Sequence, residues 1–156
     1  MSTHHYRTSL AWEGSTGVGY EGYDRAHTVQ VAPQTRVSMS ADPAFRGDAA
    51  LTNPEALLLA AASSCQLLSF LAVAARARLD VHAYSDEAHA IMPPEPEPLR
   101  ITHITLRPRI GIRRGDADED ALRAKIHRLV RVAHQECFIV NSLTATIEVE
   151  PTILLT

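Results

Sequence analysis

The sequence predicts an α+β fold, with antiparallel strands gathered in hairpins around one long, buried central helix. Three observations carry this expectation. The run from Leu57 to Ala75 holds 19 residues without a formal charge. Strand-like segments fall in groups on both sides of it and do not alternate with helices, so hairpins rather than crossovers join them. A second, amphipathic helix precedes a final strand in which apolar and polar residues alternate. A length of 156 residues suits a single domain, 1–156, large enough to bury a core.

Residues Tyr6 to Met39 read as a short strand, a turn rich in glycine (Gly14, Gly17, Gly19, Gly22) and two further strands in which Val29, Val31, Val37 and Met39 alternate with polar neighbours. This is an antiparallel meander. Ser40 to Leu51, with Asp42, Pro43, Gly47 and Asp48, is a loop leading to the main helix. That helix has a clear start: Asn53 caps, Pro54 takes the first position, where its missing N–H costs nothing, and Glu55 meets the positive end of the dipole. Arg76 and Arg78 mark its end. Two long strands follow, Val81 to Met92 and Leu99 to Ile112, joined by a stiff loop containing Pro93, Pro94, Pro96 and Pro98. Asp116 and Glu119 resemble a capping box for a helix whose Leu122, Ile126, Leu129, Val130 and Ala133 form one stripe that extends to Cys137. In the last strand Leu143, Ala145, Ile147 and Val149 face one way.

A formal charge of -3 and scattered arginines supply no basic field for nucleic acid. The start, Met1 to Leu10, has no apolar stretch of signal-peptide length, which predicts a cytoplasmic protein. The uncharged run is close to bilayer-spanning length, but Ser63, Ser64, Cys65, Gln66 and Ser69 at its middle and strands on both sides favour a helix buried nearly all round. One chain of this size cannot easily enclose such a helix. An intertwined homodimer is therefore expected to supply the missing wall.

Chemistry points to the only two cysteines, Cys65 and Cys137. Two thiols allow one internal disulfide, and in a reducing compartment such a pair is more often free, metal-bound or catalytic than a permanent staple. The helix neighbours of Cys65 (Ala61, Ala62, Leu68, Ser69) carry no charge, and the residue lies too deep in the helix to feel its dipole. A thiolate there needs an outside cation. The plain alternative is that both cysteines are small core residues. A zinc site using His134, Cys137 and Cys65 is a second alternative, with weak ligand spacing.

The stretches Ser40-Ala-Asp-Pro-Ala-Phe-Arg-Gly-Asp48, Asn53-Pro-Glu-Ala-Leu-Leu-Leu-Ala-Ala-Ala-Ser-Ser-Cys65 and Ala133-His-Gln-Glu-Cys-Phe-Ile-Val-Asn-Ser142 together resemble the osmotically inducible protein C and organic hydroperoxide resistance family. The resemblance runs from Trp12 to the last strand. Gln66 departs from the family pattern, where a His or an aromatic is common, and this bears on substrate preference. The resemblance implies an OsmC-like α+β fold and a homodimeric, cofactor-free peroxidase. It makes Cys65 the peroxidatic cysteine, Cys137 the resolving one, and Glu55 the acidic partner of an activating arginine. Arg25, in Tyr23-Asp24-Arg25-Ala26-His27, fits that arginine best, with Arg46 as the alternative. Glu55 lies roughly 15 Å along and about 80° round a straight helix from Cys65, so it would act on the guanidinium through a bidentate pair and not on sulfur.

The expected activity is reduction of organic hydroperoxides, with hydrogen peroxide as a lesser substrate, through a Cys65 sulfenic acid and a Cys65–Cys137 disulfide that an external dithiol, such as a lipoyl-type one, reopens. The competing reading is a dimeric module that binds small apolar ligands, its cysteines incidental.

Overall fold

The computed structural model describes residues 2–156. The chain divides into two compact units, the first running to Leu57 and the second from Leu58 to Thr156, with the division inside the long helix α1 (Pro54–Arg76).

In the first unit, strands β1 (Ser9–Ala11), β2 (His27–Ala32) and β3 (Thr35–Met39) pair antiparallel in chain order, which is the expected meander. The loop after β3 is tight. Asp42 accepts the Ala44 N–H at 2.7 Å and the Asn53 side-chain amide at 3.3 Å. Gly47 comes so close to Ala41 that a Cβ would stand 1.6 Å from its carbonyl oxygen, so no larger residue fits. The loop delivers Asn53, whose Oδ1 accepts the Ala56 N–H at 2.8 Å, and Pro54 follows as the first residue of α1. The expected helix start is therefore formed, and Glu55 sits in its first turn.

The second unit holds the rest of α1, then β4 (Val81–Asp86), β5 (His89–Ile91), β6 (His103–Leu106), β7 (Pro108–Ile112), α2 (Glu119–Glu136), β8 (Thr146–Val149) and β9 (Thr152–Leu155). Each of the two long strands expected here is broken. β4 pairs with β7 in one sheet and β5 with β6 in another. At the break, Asp86 takes the Arg107 N–H on one carboxylate oxygen at 2.7 Å and the Ser63 hydroxyl of α1 on the other. A side chain thus replaces ladder bonds, and the hairpin splits between two sheets.

Both sheets are mixed rather than purely antiparallel. α2 carries the chain back to the starting end, so β8 lies parallel to β6 and β9, a strand not anticipated, parallel to β7. The cap of α2 is Asp118, which accepts the Ala121 N–H at 2.9 Å, and not the Asp116–Glu119 box. Asp116 sits in the preceding turn, and Glu119 instead pairs with Arg114 and Arg123.

Phe70, Val73 and Ala74 of α1 pack with Ile110, Ile112, Leu122, Ile126, Val130, Ala133 and Ile153. Ala62 joins a smaller cluster with Ile104 and Leu106. Burial nearly all round was expected of α1, but in the single chain it is confined to this face, Ala62, Gln66, Phe70, Val73 and Ala74. The residues at Ala61, Ser64, Leu68, Leu71, Ala72 and Ala75 form a continuous exposed stripe, with Leu68 63% exposed. By length and composition α1 could cross a membrane, and its Phe70 face is packed into the core just described.

Candidate active site

Cys65 lies midway along α1, half-buried at the border between the packed face and the exposed stripe. Cys137 is fully buried as the C-terminal cap of α2, one step beyond the stripe Leu122, Ile126, Val130 and Ala133 that faces the core. Both are free thiols. Burial pushes the Cys137 thiol up to about 11, and the neighbouring Cys65 side chain pushes the same way. The backbone N–H groups of Val140 and Ile139 pull it down.

The turn after Cys137 also reaches Cys65 directly. The Ile139 N–H donates to Cys65 Sγ at 3.5 Å. That turn is braced by four bonds: Asn141 N–H to the Cys137 carbonyl at 3.0 Å, Ser142 N–H to the Ile139 carbonyl at 3.0 Å, the Ser142 hydroxyl to the Phe138 carbonyl at 2.7 Å, and the Asn141 amide to the Gln135 carbonyl at 2.9 Å. The Ile139 side chain is held in the cluster around Ala62, one helical turn before Cys65. Sequence reading marked Ala133 to Ser142 as a motif but had no role for Ile139, because a backbone donor has no residue signature.

Gln66 is 1% exposed and donates to the Val130 carbonyl of α2 at 3.4 Å, while its Oε1 has no partner among the described residues. The departure at this position is thus taken up between the two helices. Burial lowers the pKa of His134. Among the described residues no three His, Cys, Asp or Glu side chains converge as a metal-ligand group, so Cys65, His134 and Cys137 make no such set.

Arg25 and Glu55 belong to the first unit, where both line a cavity of about 440 Å³ with Trp12, Tyr20, Tyr23 and His27. The bidentate Glu55–Arg25 pair expected from the sequence is not formed. The guanidinium instead donates to the carbonyls of Tyr23 at 2.8 Å and Tyr20 at 2.7 Å, and lies 3.9 Å from the centre of the Tyr23 ring and 4.9 Å from that of Tyr20. Two carbonyls and two ring faces in one turn satisfy it locally. Arg46, with a left-handed backbone at φ 65°, pairs with Glu21 and is not among the residues lining the cavity. Sequence reading missed the aromatic wall, although Trp12, Tyr20 and Tyr23 crowd the glycine-rich turn.

The sequence model of the family described as OsmC-like protein matches residues 47–152, more than half of the chain and including both cysteines. The chain belongs to the OsmC-like protein family. Among solved structures, an OsmC-like protein of unknown function from Vibrio cholerae is similar with a TM-score of 0.83 and 26% identity, covering 96% of this chain and all of that one. An organic hydroperoxide resistance protein from Elizabethkingia anophelis gives 0.66 at 19% identity, covering 99% and 100%. An organic hydroperoxide resistance protein OsmC from Legionella pneumophila gives 0.66 at 18%, covering 97% and 98%. At those two identities the likeness is one of fold. No curated protein matches. The OsmC-like α+β fold expected from the sequence is therefore the observed one, matched over 96% of the chain.

Proposed function

We propose that this protein is a thiol peroxidase that reduces organic hydroperoxides, and that Cys65 is its peroxidatic cysteine and Cys137 its resolving one. The observation that supports this most is that the turn directly after Cys137 is hydrogen-bonded to Cys65, the Ile139 N–H donating to Cys65 Sγ at 3.5 Å, which brings the two cysteines together. Membership of the OsmC-like family, with fold relatives named as organic hydroperoxide resistance proteins, supports it further.

In the proposed reaction the Cys65 thiolate attacks the distal peroxide oxygen, the O–O bond breaks, the transferred oxygen keeps the peroxide's proton, and the leaving alkoxide takes a proton from solvent and departs as an alcohol. Cys65 is left as a sulfenic acid. Cys137 then gives up its proton and attacks that sulfur, the S–O bond breaks as the disulfide forms, and the departing hydroxide takes up a proton and leaves as water. An external dithiol, lipoyl-type in this proposal, reduces the disulfide by exchange.

Arg25 is proposed to hold Cys65 as thiolate, with Glu55 orienting the guanidinium. The family resemblance supports this role, and Arg25 and Glu55 line one cavity of the first unit, where the guanidinium is held by the Tyr20 and Tyr23 carbonyls. The aromatic wall supports an apolar substituent on the substrate and so favours organic hydroperoxides over hydrogen peroxide. The same wall is the one observation that favours the second reading, a module binding small apolar ligands.

A homodimer is part of the proposal. The exposed stripe through Leu68 and Leu71 on α1, and Phe138 at 80% exposure next to Cys137, are apolar surfaces that a second copy would cover. The test of the activity is peroxide consumption with cumene hydroperoxide and hydrogen peroxide, each with dihydrolipoamide and with thioredoxin as donor. Turnover of the organic substrate supports the peroxidase, and no consumption of either peroxide with any donor contradicts it.

A further inference from the structure

We infer that the turn Cys137–Ser142, and not only the Cys137 side chain, serves Cys65: the backbone N–H of Ile139 is a built-in donor to the Cys65 sulfur that favours its ionised form. This deepens the peroxidase reading and rests on Cys65 being the reacting thiol.

Geometry carries the inference. The donor is in place, 3.5 Å from Cys65 Sγ and with the alignment of a hydrogen bond. Cys65 stands in mid-helix, where the α1 dipole gives it nothing and its helix neighbours are uncharged, so a fixed dipole from another segment is what a thiolate there requires. The turn is also over-determined. Asn141 and Ser142 spend their side chains on carbonyls of the same segment, at Gln135 and Phe138, and Ile139 is anchored among apolar residues beside Ala62. Such bracing fixes the direction of one N–H, and a pre-set donor strengthens as negative charge appears on sulfur.

Asn141 and Ser142 are accordingly positioning residues. They hold the turn that carries both the donor to Cys65 and the thiol of Cys137. Activation and resolution then share one segment, and loosening it weakens both.

The test uses full-length reduced protein carrying Cys137→Ser, so that Cys65 is the only thiol. In an ¹⁵N-resolved proton spectrum recorded across pH, the Ile139 amide proton should move downfield along the same curve as iodoacetamide alkylation of Cys65, and the movement should vanish in Cys65→Ala. Ile139→Pro removes the N–H, while the observed φ of -68° suits proline. It should move the alkylation curve up by about one pH unit, because a hydrogen bond to the charged form is lost. Ile139→Ala keeps the N–H and should leave the curve in place. An Ile139 amide indifferent to Cys65 ionisation, or Ala and Pro variants with the same curve as the parent, overturns the inference. These readouts need no peroxide, so their failure is distinct from a failure of the peroxidase reading.

Discussion

The backbone N–H of Ile139, two residues beyond the buried Cys137 at the end of α2, donates to Cys65 Sγ in the middle of α1 at 3.5 Å, across 74 positions of sequence. The same turn follows directly on Cys137, whose thiol is held in the protonated form chiefly by burial.

The first expectation follows from nucleophile chemistry. Cys65→Ser should abolish peroxide consumption, because a serine hydroxyl near neutral pH is almost wholly protonated. Xylenol-orange measurement of residual cumene hydroperoxide checks it, and consumption at the parent rate would move the chemistry away from this residue.

A second concerns pH. With its pKa raised to about 11, Cys137 has little thiolate at neutral pH, so the step that forms the disulfide should accelerate as pH rises. The sign is fixed by the neutral form being the favoured one. Burial, the largest cause, remains once Cys65 is a sulfenic acid, and the midpoint should stay above that of an ordinary cysteine. Competition between dimedone and disulfide formation, followed from pH 6 to pH 9, should shift toward disulfide by roughly tenfold per unit. A flat ratio would mean that Cys137 attacks without having to lose its proton first.

A third tests the arginine. Arg25→Ala should slow peroxide reduction and move Cys65 alkylation to higher pH, as loss of a nearby cation disfavours the thiolate. Arg46→Ala, which removes only an exposed pair with Glu21, should change neither by more than about twofold. The opposite pattern would transfer the role to Arg46.

Much of this architecture was legible in the sequence. Asn53, Pro54 and Glu55 announce the start of α1 because caps obey local rules, and the stripe from Leu122 to Cys137 announces which face of α2 is inward. The break of the long hairpin was hidden, since it depends on Asp86 meeting the Arg107 N–H and Ser63 across the fold. Parallel placement of β8 and β9 was hidden for the same reason: strand direction is set by where α2 returns the chain, and local alternation carries no direction. At the site, the two cysteines were visible as residue types. The Ile139 N–H and the carbonyls that hold Arg25 were not, because every residue but proline carries them.

A fourth expectation isolates the resolving step. Cys137→Ser should consume about one equivalent of peroxide per subunit and then stop when small dithiols are scarce, leaving a Cys65 sulfenic acid that dimedone labels. Excess peroxide should carry it on to sulfinic acid. Turnover as fast as the parent, with no disulfide in the parent, would remove Cys137 from the mechanism.

The central claim is that Cys65 and Cys137 form a redox pair, and the intact mass of the reduced protein after one equivalent of cumene hydroperoxide tests it most directly. The account predicts a loss of two hydrogens, reversed by dihydrolipoamide and absent in either cysteine variant. An unchanged mass, with the hydroperoxide recovered intact, would contradict it and leave the aromatic cavity as the seat of function.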